Sequence, residues 1–146
     1  MKIAIGSDHA GYFLKEKIKD FLIQEGHEVI DVGCDSHVSV DYPEYGVKAV
    51  KKLLSGEVER VIVICGTGIG MSIVANRFKG VRAALCLEPF SAKMARLHND
   101  ANVLVLGGRI IADGIAKEIV KIFLETPFEG GRHQKRIELI EKLVSN

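Results

Sequence analysis

The chain has 146 residues, 47% of them hydrophobic, and its 20 Lys and Arg against 19 Asp and Glu leave a formal charge of +1 at pH 7. That length and apolar content suit one domain, residues 1–146, around a single core, and the balanced charge gives no electrostatic reason to expect nucleic acid or a membrane surface as partner. The opening MKIAIGSDHAG falls short of a signal-peptide core, and no run approaches the roughly 20 apolar residues of a membrane span, so a cytoplasmic protein acting on a small molecule is expected.

Short β-rich runs alternate with stretches of helical spacing. In chain order, strands are expected at KIAIG (2–6), EVIDVG (28–33), RVIVIC (60–65), VRAALC (81–86) and NVLVLGG (102–108). They are rich in Val and Ile and mostly apolar on both faces, as suits strands of a sheet covered on both sides. The segment YFLKEKIKDFLIQEG places Leu14, Ile18, Phe21 and Leu22 on one stripe and stops at Gly26, so a helix lies between the first two strands. Further helices are expected near 43–54, 69–78, 89–98, 112–125 and 131–144. The alternation predicts an α/β fold, a single-domain three-layer Rossmann-like arrangement with a five-stranded parallel sheet. Ligands of such sheets bind at the carboxyl ends of the strands, so the residues just after them carry the chemistry.

The first of these turns is GSDHAG. Asp8 has a plain structural reading as a helix N-cap, whereas His9 in the same turn adds a hydrogen-bond donor or proton carrier near neutral pH. The second is CGTGIGM, in which Cys65 is followed by Gly66, Thr67, Gly68, Ile69 and Gly70. Successive peptide N–H groups in such a loop can cradle an oxyanion beside the thiol. Met71 excludes both G-x-G-x-x-G and the C-x5-R form of a cysteine phosphatase, and no P-loop is present. The other two cysteines, Cys34 and Cys86, read as core residues; no C-x-x-C pair occurs, and neither a disulfide framework nor a cysteine zinc site is favoured.

Two polar clusters remain. RLHND, with His98, Asn99 and Asp100, closes the fourth expected helix, and helix ends lie at the opposite sheet edge from strand ends. His98 should therefore not reach its own Cys65, and a second subunit could deliver it. EGGRHQKRI crowds Arg132, Lys135 and Arg136 into a first helical turn that ordinarily prefers acids; Arg132 and Arg136, four apart, share a face suited to a phosphate, the plain alternative being a solvated basic surface. Arg109, after VLVLGG, could add a cation.

Together GSDHAG, DYPEYG, CGTGIGMSIVANR, RLHND, GGR and GRHQKRI closely resemble the type B ribose-5-phosphate isomerases, a family that also contains galactose-6-phosphate isomerase subunits, and the resemblance spans nearly the whole chain. It implies aldose–ketose isomerisation, ribose 5-phosphate to ribulose 5-phosphate, through an enediolate. Cys65 then matches the family's base, with the Gly66 to Gly70 amides on the oxyanion and Thr67 assisting proton movement. His98 would open the furanose ring with Asp8 assisting, while His9, Arg132 and Arg136 bind phosphate, Asn99 and Arg109 contact substrate and Tyr42 lines the site. Some members use a glutamate base instead, and IGMSIV at 69–74 offers no carboxylate. No metal or other cofactor is implied, and a homodimer or dimer of dimers with shared sites is expected. The competing readings are allose- or galactose-6-phosphate isomerisation and, from another class, a non-catalytic nucleotide- or flavin-binding module, which needs neither Cys65 nor His98.

Overall fold

A computed structural model describes residues 1–144. Five strands, β1 (Lys2–Ser7), β2 (Glu28–Gly33), β3 (Arg60–Cys65), β4 (Ala83–Leu85) and β5 (Val103–Gly107), form one sheet of order β2-β1-β3-β5-β4. Every neighbouring pair is parallel. The helices are α1 (Tyr12–Gln24), α2 (Tyr42–Leu54), α3 (Ile69–Ala75), α4 (Pro89–Asn99), α5 (Asp113–Glu125) and α6 (Arg132–Val144).

Alternation along each strand divides the core. Ile3, Ile5, Ile62, Ile64, Leu104 and Leu106 face a cluster built with Leu14, Ile18 and Leu22 of α1, Ala92 and Ala95 of α4, and Ile119, Val120 and Phe123 of α5. Ala4, Val61, Val63, Cys65, Val103 and Val105 face Ala49 and Val50 of α2 and Met71 and Ala75 of α3. Strands apolar on both faces thus sit between two helical layers, as a parallel sheet requires. Each fully buried aliphatic side chain contributes about 1.5–3 kcal/mol, so the sheet interior supplies most of the driving force.

The expected elements form, the fifth strand over 103–107 rather than 102–108, and two others are shortened by three residues each. The fourth strand covers 83–85 instead of 81–86, because the Val81 N–H turns back to Phe78 O and the Arg82 N–H is taken by Asn102 Oδ1 at 2.8 Å. The third helix ends at Ala75 rather than 78 for a related reason. The Asn76 side chain pairs with the β4 backbone in both senses, accepting from Ala83 N (2.9 Å) and donating to Ala83 O (3.1 Å). A side-chain amide therefore occupies the outer edge of a strand that would otherwise expose unpaired groups.

At the other edge of the sheet, Lys15 is a fully buried lysine. Its Nζ lies 2.7 and 2.9 Å from the Asp31 carboxylate oxygens and 3.0 Å from Glu16, and Lys19 Nζ completes the network at 2.9 Å from Asp31. Burial by itself would raise the Asp31 carboxyl, but hydrogen bonds from Lys15, Lys19 and the Gly33 N–H outweigh it and hold it below the ordinary carboxylate range. A carboxyl depressed in the folded state stabilises above its unfolded value of about 3.9 and loses that contribution as pH falls through the folded value. Lys15→Met, which keeps the apolar stem, should lower the unfolding free energy at neutral pH by about 1–3 kcal/mol. It should also move the acid-side loss of stability to higher pH. Urea titrations between neutral and acidic pH measure both effects; an unchanged midpoint would show that Lys19 alone holds Asp31.

Candidate active site

The chain runs from β1 outward to β2, then returns to the opposite side of β1 as β3, so strand order reverses between β1 and β3. Their carboxyl ends are level, Ser7 lying opposite Ile64. Asp8 and Cys65 therefore leave the sheet side by side, with the Asp8 N–H donating to Ile64 O at 3.2 Å. Asp8 performs the capping role that its position suggested: its Oδ1 accepts from Gly11 N at 3.0 Å over the single 3-10 turn His9–Gly11. His9 follows, half-buried, its Nδ1 accepting from Val40 N at 3.1 Å.

Cys65 is 5% exposed, at the top of the face packed on α2 and α3. Beyond it the glycine loop is tied to the turn after β5, since Gly108 N donates to Cys65 O (2.8 Å) and Arg109 N to Gly66 O (2.9 Å). The Arg109 side chain lies over Gly66 as a result. Thr67 is exposed and its Oγ1 accepts from Ile69 N at 3.2 Å, which fixes the turn into α3. Gly68 has φ +84°, which L side chains rarely adopt, and a Cβ there would press on the end of the Leu85 side chain and stand 3.2 Å from Leu106 O, so the turn favours glycine. Tyr42, first residue of α2, lays its ring against Gly70, where a Cβ would come within 2.6 Å of the ring. Asp8, His9, Tyr42, Cys65 to Gly70 and Arg109 thus belong to one edge.

The remaining expected residues gather at the other edge. His98 and Asn99 end α4, Asp100 follows in the left-handed conformation at φ 46°, and Asn102 O already accepts from Val61 at the start of β3. Six residues of β3, about 17 Å of strand, separate that edge from Cys65. His98 stacks on His133 of α6 with ring centroids 4.3 Å apart at 12°. Glu129 reaches both, 3.8 Å from His98 Nε2 and 4.0 Å from His133 Nε2. Burial, then the neighbouring His98 and Arg132, push the His133 imidazole below its ordinary value. Arg132 and Arg136 are exposed on the same helix.

Sequence reading missed the roles of Glu129 and His133; their spacing of four across the turn into α6 is the signal that could have paired them. The histidines show no ligand spacing along the chain, yet the fold collects donor atoms of His98, Glu129 and His133 within 4.8 Å of one another, a set able to hold a metal ion. Sequence reading also missed Val40, which acts through its backbone. An apolar groove of about 590 Å³ lies away from Cys65, lined by Phe78, Val81, Ala84, Ile137 and Ile140 with Asn99 at its margin.

Residues 3–140 match the family described as Ribose/Galactose Isomerase. The chain belongs to the ribose/galactose isomerase family. It is 49% identical to ribose-5-phosphate isomerase B of Escherichia coli over 139 residues, covering 95% of this chain and 93% of that protein. Its structure resembles the crystal structure of a ribose 5-phosphate isomerase from Thermotoga maritima with TM-score 0.95 and 56% identity over 97% of both chains. It resembles ribose-5-phosphate isomerase B from Clostridium thermocellum with TM-score 0.96 and 51% identity, over 98% and 97% of the two chains. The five-stranded Rossmann-like fold is thus that of this isomerase family, and the binding-module alternative falls away. Among the described residues, no helix is long and apolar enough to cross a membrane.

The three cysteines differ in surroundings. Burial, with a smaller contribution from Glu88, pushes the Cys86 thiol up to about 11. Cys34 donates its thiol hydrogen to Ser36 O at 3.2 Å. Iodoacetamide at about pH 8, near the free-thiol range, should therefore modify Cys86 last of the three. Peptide mapping against time gives the order, and early labelling of Cys86 would contradict the burial argument.

Proposed function

We propose that the chain is an aldose–ketose isomerase that interconverts ribose 5-phosphate and ribulose 5-phosphate, with each active site made by two copies of the chain. The observation that carries this reading is the partition of the candidate residues: Cys65, the glycine loop, Asp8 and His9 at the β1/β3 edge, and His98, Asn99, Arg132 and Arg136 at the opposite one. A two-fold pairing brings the second set of one copy over the first set of its partner and produces two equivalent sites. Exposed Ile69, Leu87, Phe90 and Ile110, all on segments leaving the strand ends around the glycine loop, suit such a contact.

In this scheme His98 of the partner subunit moves the proton that opens the furanose ring, with Asp8 holding the ring hydroxyls. The Cys65 thiolate removes the proton from C2 of the open-chain aldose, and the C2–H electron pair forms the C1–C2 double bond as the carbonyl electrons pass to O1. Peptide N–H groups between Gly66 and Gly70 stabilise that enediolate oxygen, a contribution of about 3–4 kcal/mol for a well-aimed donor. The Cys65 thiol then returns its proton to C1, O2 loses its proton as the ketone forms, and Thr67 aids transfer between the oxygens. His9, Arg132 and Arg136 hold the phosphate, and Asn99, Arg109 and Tyr42 position the rest of the sugar. Each of these groups supplies only charge, hydrogen bonds or a proton, which is all that an enediolate mechanism demands.

The family's description names both ribose and galactose, so a six-carbon sugar phosphate is the second reading. Comparing kcat/KM for ribose 5-phosphate, allose 6-phosphate and galactose 6-phosphate decides between them. The highest value is expected for ribose 5-phosphate, and turnover of none of the three would refute the isomerase assignment for this chain. Sharing of sites is tested by mixing inactive Cys65→Ala with inactive His98→Asn and allowing subunits to exchange. Random exchange makes half of the dimers mixed, each with one intact site of two, so activity should recover to about a quarter of wild type. Verified exchange with no recovery would place both residues in the same chain's site.

A further inference from the structure

We propose that the peptide N–H of Val40 fixes the tautomer of His9, so that Nε2 of this imidazole is the hydrogen-bond donor offered to the substrate's anionic group; the proposal rests on the anion role given to His9 above. The Val40 nitrogen lies 3.1 Å from His9 Nδ1. A peptide nitrogen can only donate, so Nδ1 must use its lone pair, and a neutral imidazole that accepts at Nδ1 carries its single proton on Nε2. Among the described residues, no hydrogen bond engages Nε2.

The polarity is the reverse of the usual arrangement around a functional histidine. A carbonyl or carboxylate commonly takes the Nδ1 proton and leaves Nε2 as a lone pair, ready to act as base or metal ligand. Here the backbone donates a hydrogen bond to Nδ1, and Nε2 is left as the donor. Phosphate oxygens only accept, so the opposite tautomer would set a lone pair against them. This geometry makes His9 a binding group and removes it from the candidates for general base, a distinction that the sequence GSDHAG alone left open.

The donor is held from both sides. Residues 34–41 leave β2 with Cys34 N donating to Ser7 O at 2.8 Å. Inside the loop, the Cys34 thiol donates to Ser36 O at 3.2 Å and Val38 N to Ser36 Oγ at 3.2 Å. The His37 ring stacks on Phe13 with centroids 5.9 Å apart at 17°. Immediately after Val40, Asp41 and Tyr42 begin α2, whose Tyr42 ring is pressed on Gly70. Val40 is therefore a positioning residue, and the group that positions is its amide rather than its side chain.

Long-range proton–nitrogen NMR of the wild-type protein at about pH 8, above the imidazole range near 6.5, tests this directly, with the His9 signals identified by their loss in His9→Gln. The expected pattern is a bare Nδ1 and a protonated Nε2. Val40→Pro, which deletes the N–H, should yield mixed tautomers and raise KM for ribose 5-phosphate by about three- to tenfold, the contribution of one hydrogen bond, with kcat within about twofold. Val40→Ala keeps the N–H and should keep the wild-type tautomer and KM. A protonated Nδ1 in the wild type, or a Val40→Pro protein with wild-type tautomer and KM, overturns the proposal. Because the first measurement uses wild-type protein, that spectrum decides the matter even where the proline variant does not fold. If His9→Ala leaves KM unchanged while the tautomer is as expected, the anion role of His9 fails, and with it the bearing of Val40 on catalysis.

Discussion

Three backbone hydrogen bonds made beyond the ends of the strands hold this site together: Asp8 N to Ile64 O, Gly108 N to Cys65 O, and Arg109 N to Gly66 O. They extend the parallel ladder one or two residues past β1, β3 and β5, where chains usually diverge into loops. A loop tied only at its base moves on fast timescales and varies in position, whereas these turns inherit the rigidity of the sheet beneath them. The sheet is rigid because Ile62, Ile64, Leu104 and Leu106 on one face and Val61, Val63, Val103 and Val105 on the other are fully buried between helices. The positions of Asp8, Cys65 and Arg109 relative to one another thus follow from core packing, with the Asp8 and Thr67 side chains fixing the turns that come after them.

The same logic accounts for what was legible in the sequence. RVIVIC became strand 60–65, all but its first residue buried, because a covered parallel strand needs a run of apolar residues, while EVIDVG at the sheet edge formed strand 28–33 with Glu28 and Asp31 left exposed. VRAALC, also rich in apolar residues, formed a strand only over 83–85, losing two residues at its start and Cys86 at its end, since β4 pairs only with β5 and the Arg82 amide found the side chain of Asn102. Periodicity reports burial, and it cannot report which partner a backbone group will take. Asn76 illustrates the point from the other side, ending a helix three residues early in order to close a strand edge.

Among the candidate residues, those directly following strands could be read because topology alone places them. Asp8, His9 and Cys65 needed only the rule that a parallel sheet binds its ligands at the carboxyl ends of the strands. His98 was placed at the far edge by the same polarity. Glu129 could not be found this way: it lies in the turn before α6 and reaches His98 through the packing of α6 on α4. Val40 was invisible for a deeper reason. Its contribution is a peptide N–H, which every residue except proline possesses, so residue type carries no trace of it.

The division of residues between the two edges has a physical rationale in the chemistry proposed. Base and oxyanion donors must be preorganised to within a fraction of an ångström, and they sit on loops locked to the sheet. Groups that hold a dianionic phosphate act through charge and tolerate more positional freedom, and Arg132 and Arg136 are exposed on α6, which packs on α4. His98 lies between these demands, and its stacking on buried His133, with Glu129 beside both, restrains an otherwise half-exposed ring. A fold whose every strand ends at one edge can present only so many side chains there. In the proposed dimer, drawing the charged groups from the opposite edge of a second copy would enlarge the site without adding loops, and would make assembly a condition for catalysis rather than an addition to it.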